Sequence, residues 1–213
     1  MRPRSLVRYL AVPVAAAGIA AAAALAAPVA ANAATTDSNF DTGGTVAITV
    51  PLSYIVQLAQ AGIIELPVPV SEISVSGPNE TATVTFNVTG GNADVSVFRG
   101  SLDLSGSFDV ISATGHFVAL GNLQMDVSQG EIDGTPANSS TPVVLFDLGS
   151  DTFSFSAVSG DPNGFNDTFD SSAVTVDPAG ASYLDSALHT SAFQAGQAVG
   201  TLAASWSIEY PND

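Results

Sequence analysis

The chain has 213 residues, 46% of them hydrophobic and only 11% charged, with 20 acidic side chains against four Lys and Arg and a formal net charge of −16. So acidic a surface repels phosphate backbones and anionic headgroups, which argues against nucleic acid and direct membrane binding and favours cationic or cell-surface partners. Zero cysteines exclude a disulfide framework, a thiolate nucleophile, a Cys-ligated zinc and a lipid anchor on cysteine.

In chain order, MRPRSLVR places Arg2, Arg4 and Arg8 ahead of an apolar Ala/Val/Leu run that reaches Val29 and ends in Ala31-Asn32-Ala33. This is the pattern of a secretory signal peptide over residues 1–33, with cleavage before Ala34. The expected product is secreted, released or held noncovalently at the cell wall, with no stable membrane insertion once the leader is gone. Removal takes three of the four basic residues and none of the acidic ones, so Arg99 is left as the sole cation against twenty carboxylates. The remaining about 180 residues are enough to bury one sizeable core.

Residues 34–43 read as a polar leader and 44–213 as a single domain. GTVAITV, residues 44–50, alternates apolar and polar with the two-residue period of a half-buried strand. The rhythm returns in TATVTFNV (Val84, Phe86, Val88), DVSVF (Val95, Val97), NLQMDV (Leu123, Met125, Val127), DTFSFSA (Phe153, Phe155, Ala157) and TLAASWSIEY (Leu202, Ala204, Trp206, Ile208, Tyr210). Gly90-Gly91, Gly115, Gly121-Asn122, Gly134-Thr135-Pro136 and Asp161-Pro162-Asn163-Gly164 stand between these runs as turn chemistry.

Two segments break the period. PLSYIVQLAQAG, residues 51–62, predicts a short helix with Leu52, Ile55 and Ala59 on one apolar side and Gly62 as its stop. DPAGASYLDSALH, residues 177–189, predicts a second helix capped by Asp177, with Pro178 behind it and Ala181, Leu184 and Leu188 facing inward. The fold class expected is all-β, an antiparallel β-sandwich or barrel-like domain with two short helices.

The succession of LAQAGI, FNVTGG, FRGSLDLSG, ALGNLQMDV, DPAGASYLDSAL and AFQAGQAVGTL resembles a family of exported actinobacterial β-rich proteins, distantly similar to the HtaA-like domains of haem uptake. The resemblance spans most of residues 44–209 and implies an extracellular all-β domain. Haem capture in the HtaA-like branch implies a tyrosine ligand supported by a histidine. Leu104-Ser105-Gly106 carries no histidine and Tyr54 is the only tyrosine of the first helix, so no haem ligand is assigned.

Candidate chemistry is sparse. Asp41-Thr42-Gly43 matches an aspartic-protease tripeptide, but no second D-[ST]-G exists to supply the facing carboxylate. His116 and His189 are the only histidines, and no G-x-S-x-G elbow accompanies them. His116 is expected at a strand end in a turn-flanked hairpin and His189 at the last turn of the second helix, where an imidazolium suits the dipole. Trp206 falls in the apolar phase of its strand and is expected in the core. DPNGFNDTFD gathers Asp161, Asn163, Asn166, Asp167 and Asp170 in what reads as a Gly-containing loop, an oxygen-rich set suited to calcium. Arg99 is expected at a strand end, its fork meeting Asp94 or Asp103. The leading function is a noncatalytic extracellular or cell-envelope binding or structural module, with a haem- or calcium-binding protein and an extracellular hydrolase as the alternatives.

Overall fold

The alternation of Val46, Ile48 and Val50 with Thr45, Ala47 and Thr49 is realised as a strand paired on both edges. A computed structural model of the chain describes residues 41–68, 72–76, 81–94, 99–149, 151–157 and 164–209, all within one unit, Thr36–Asp213. The first half runs β1 (Asp41–Pro51), α1 (Leu52–Gln60), β2 (Ile63–Val68), β3 (Glu72–Ser76), β4 (Thr81–Gly91), β5 (Ser101–Leu104) and β6 (Ser107–Ser112). The second runs β7 (Phe117–Asp126), β8 (Glu131–Pro136), β9 (Val143–Leu148), β10 (Asp151–Ala157), β11 (Gly164–Val176), α2 (Pro178–Leu188) and β12 (Ala198–Glu209).

The architecture is mostly β, and eight antiparallel strands close on themselves. The hydrogen-bonded circuit is β7-β5-β4-β1-β12-β11-β9-β8, and the β8–β7 ladder completes it. Closure removes the free edges that an open sheet would present along this circuit. The remaining strands extend the long ones. β3 pairs with β4 over 81–85, where β5 takes over at 88–91; β10 pairs with β11 over 165–171, before β9 takes over at 174–176. β6 leads from β7 to β2. Of the two expected forms, sandwich or barrel-like, the strand circuit is that of a closed barrel with added strands.

The core lies inside this circuit. β12 buries Leu202, Ala204, Trp206 and Ile208, and the Trp206 indole N–H donates to the Ala93 carbonyl at 3.3 Å. β7 and β11 change phase along their length. In β7 the buried set passes from Val118 and Leu120 to Leu123 and Met125, and in β11 from Phe169 and Ser171 to Val174 and Val176. An extra residue in each ladder makes the switch, between Gly121 and Gln124 and between Ser171 and Val174. Asn122 takes the positive φ of 47° that such a bulge uses. Gly121-Asn122 is thus a bulge inside one strand, where the composition predicted a turn. Gly134-Thr135-Pro136 likewise lies inside β8, because Gly134 leaves room for Leu120, Leu123 and Leu145 against the backbone.

α2 begins as expected: the Asp177 carboxylate accepts from the backbone N–H of Ala179 at 2.6 Å and of Gly180 at 3.3 Å, and Ala181, Leu184 and Leu188 are buried. Helix α1 differs from expectation in which face it buries. Tyr54 and Leu58 are covered, whereas Ile55, on the side predicted to meet the core, is 40% exposed. No helix among the described residues is long and apolar enough to cross a membrane.

Candidate functional site

The apolar side of α1 faces open space because the strands beneath it do not fill their interior. Side chains of β1, β4, β7, β8 and β9 and one face of α1 line a partly open cavity of about 400 Å³. That volume falls within the range of small-molecule sites, and an eight-stranded barrel is just wide enough to hold one such ligand. Leu52, Ile55 and Ala59 of α1 roof it; Val50 and Val84 form one wall, Leu123, Ile132 and Leu145 another. Val50 and Val84, in the inward phase of their strands, pack against the core and are only partly buried because they also line the cavity. Phe108 of β6 and Phe146 of β9 close one side in an edge-to-face pair, centroids 5.9 Å apart. Ile64, 57% exposed, stands at the lip with Ile55.

Among the described residues one polar side chain interrupts this lining, Glu65 of β2. Its direction follows from register. Glu65 pairs with Val110, and Val110 with Val118. Both valines are buried, and directly opposed residues of neighbouring strands share a face, so Glu65 points inward with them. The Tyr54 hydroxyl of α1 donates to Glu65 Oε1 at 3.4 Å. Burial pushes the Glu65 carboxyl up to about 7, a rise only partly opposed by the bond from Tyr54. The Tyr54 phenol is raised above its ordinary range, first by burial and then by the neighbouring Glu65 charge. The site thus offers hydrocarbon contact and one carboxyl that changes charge near neutrality. Sequence reading missed Glu65; the acid between Ile64 and Leu66 was the available signal, a charge set in an apolar run.

The residues singled out from the sequence lie elsewhere. Asp161 and Asn163 fall outside the described residues. Asn166, Asp167 and Asp170 stand on β11, where a loop was expected. Alternation sends Asp167 to the buried face and Asn166 and Asp170 to the other, and the latter two are four residues apart, about 13 Å along a strand. Asn166 instead accepts from the Ser207 hydroxyl at 2.8 Å. Among the described residues no three His, Asp or Glu side chains are grouped as a metal site would need. Asp41-Thr42-Gly43 is the first part of β1. Arg99 is exposed and forms a main-chain bridge with Asp94, N–H to carbonyl at 2.9 and 3.1 Å in the two directions, while Asp103 accepts from Gln124 Nε2 at 2.6 Å.

His116 lies in the turn before β7, as expected, and His189 caps α2 with a left-handed φ of 52°. The two rings meet, centroids 4.4 Å apart and planes inclined by 59°, a contact across 73 residues that neither local context announces. On the outer wall, Asp126, Glu131 and Asp147 stand directly opposite one another across β7, β8 and β9. Glu131 is raised by burial first and then by the Asp147, Asp177 and Asp126 charges, and Asp147 by burial first and then by the charge of Asp177 and a hydrogen bond with it; Asp133 is pushed up to about 6 by burial and by the Asp126 and Glu131 charges.

Fold and site together define a closed antiparallel β-barrel with a ligand-sized apolar interior. No known protein family matches the sequence, and no characterised protein does. Among solved structures the chain is similar to the C-terminal domain of HtaA from Corynebacterium glutamicum, at 12% identity and a TM-score of 0.44, over 78% of this chain and 99% of that domain. This is the distant HtaA-like similarity expected from the order of its sequence segments.

Proposed function

We propose that the protein is a noncatalytic binding module that shelters one small apolar molecule inside its barrel. The observation that carries the reading is the 400 Å³ cavity, roofed by the helix face that would otherwise have been core. Burying a molecule there recovers hydrophobic free energy at about 25 cal/mol per Å² for the ligand and for the exposed lining alike. A secretory leader and a strongly acidic surface support an extracellular or cell-envelope setting, with the domain after residue 43 acting as one unit.

The test is uptake of N-phenyl-1-naphthylamine, a neutral fluorophore that brightens in apolar surroundings, by the chain lacking residues 1–33. Fluorescence should saturate at one probe per protein. Val84→Trp, which places an indole in the cavity, should abolish the signal while far-ultraviolet dichroism stays unchanged. Absence of uptake by the unaltered protein would end this reading.

A further inference from the structure

Resting on that reading, we infer that the molecule held in the barrel is a lipophilic cation, its ammonium group against Glu65 and its hydrocarbon body among Val84, Leu123, Ile132 and Leu145.

The argument begins with what is missing beside Glu65. A carboxylate placed in an apolar interior is normally matched by a cation, because desolvating an unmatched charge is costly. Glu65 has one neutral donor, the Tyr54 hydroxyl on Oε1. Among the described residues lining the cavity there is no Lys, Arg or His. Arg99, the only Lys or Arg among the described residues, is exposed at the Asp94 bridge, and its side chain is no part of the cavity wall. The counter-charge is therefore left for a ligand to bring.

Head groups of other charge fit less well. An anionic one, such as a fatty acid's carboxylate, would meet Glu65 and a net charge of −16 with no cation in the lining to receive it. A neutral hydroxyl would make an ordinary hydrogen bond, whereas an N⁺–H donor to a carboxylate makes a charge-assisted one, roughly twice as strong. The field of the whole chain acts in the same sense by concentrating cations at its surface.

Decylamine, decan-1-ol and decanoate share one hydrocarbon chain and differ in head group. Each is titrated against bound N-phenyl-1-naphthylamine at pH 7.5, below its aggregation threshold. For the unaltered protein the amine should displace the probe at least tenfold more tightly than the alcohol (about 1.4 kcal/mol), with decanoate weakest. In Glu65→Gln the probe should still bind, and the amine's advantage should shrink to about that of the alcohol. Equal affinity of amine and alcohol, or an advantage that survives in Glu65→Gln, overturns the inference while leaving apolar carriage standing. Failure of the probe itself to bind defeats the carrier reading instead.

Discussion

Replacing Glu65 by Gln should stabilise the empty protein, and only above a definite pH. The carboxyl ordinarily titrates at 4.5 and is raised to about 7 in the fold by its apolar surroundings. Holding an acid neutral across that interval corresponds to about 3.5 kcal/mol at ~1.4 kcal/mol per pH unit, reduced to about 2 by solvent reaching an open cavity. The sign follows from proton uptake. Between pH 4.5 and 7 the native state binds more protons at this site than the unfolded chain, so stability falls as pH rises through that window. Below 4.5 both states are protonated and the effect vanishes.

Glutamine keeps an oxygen that accepts from the Tyr54 hydroxyl and carries no charge to desolvate. Urea unfolding of both proteins at pH 4, 6 and 8 should give equal stability at pH 4 to within about 0.5 kcal/mol, and a gain of about 2 kcal/mol for Glu65→Gln at pH 8. In melting temperature that is roughly 4–8 °C for a domain of this size. A variant curve parallel to the wild-type curve across the three pH values would show that Glu65 is not held in an apolar environment.

Asp133→Asn should act in the same direction, adding about 1 kcal/mol at pH 7.5 and little at pH 4, since Asp133 is raised from 3.8 to about 6 by burial and the Asp126 and Glu131 charges; equal gains at both values would contradict it. Gly180→Ala sets helix propensity, worth up to ~1 kcal/mol in favour of Ala, against packing. Its Cβ would lie 2.7 Å from the Val144 carbonyl oxygen and 2.9 Å from Leu145 Cα. A net loss of about 1–3 kcal/mol is expected from this overpacking, and a raised melting temperature would refute it. Asp177→Ala should cost about 1 kcal/mol by removing the α2 cap. Asp177→Ser keeps an accepting oxygen while relieving the charge that Asp177 presents to Asp147 and Glu131, so its melting temperature should exceed that of Asp177→Ala; the reverse order would remove capping as the explanation.

Local rules made some elements visible and hid others. β1 alternates from Thr45 to Thr49 and β12 from Leu202 to Ile208, so Val46, Ile48, Leu202, Ala204, Trp206 and Ile208 could be placed inside from their spacing alone. β11 could not, because its bulge after Ser171 reverses which parity faces the core, and the stretch then reads as a polar loop followed by an unrelated apolar pair. The candidate calcium residues Asn166, Asp167 and Asp170 read as a loop because the turn chemistry of Asp161-Pro162-Asn163-Gly164 precedes them and polar side chains dominate the stretch. Glu65 was overlooked because a single acid in a short apolar strand resembles an edge residue until the β2–β6 register turns it inward.

From sequence alone came the all-β character, the alternating core phases, the Asp177-Pro178 start of α2 and the excess of negative charge, each of which depends on a residue and its near neighbours. Tertiary structure decided the rest: β7 reaching β8 to close the barrel, α1 turning its Leu52, Ile55 and Ala59 side over a space instead of a neighbour, Glu65 entering that space, and His116 meeting His189. A sequence pattern records that a face is to be shielded from water. What shields it, a packed side chain or a bound molecule, depends on the gap left between strands distant along the chain, and that gap exists only once the strands have closed.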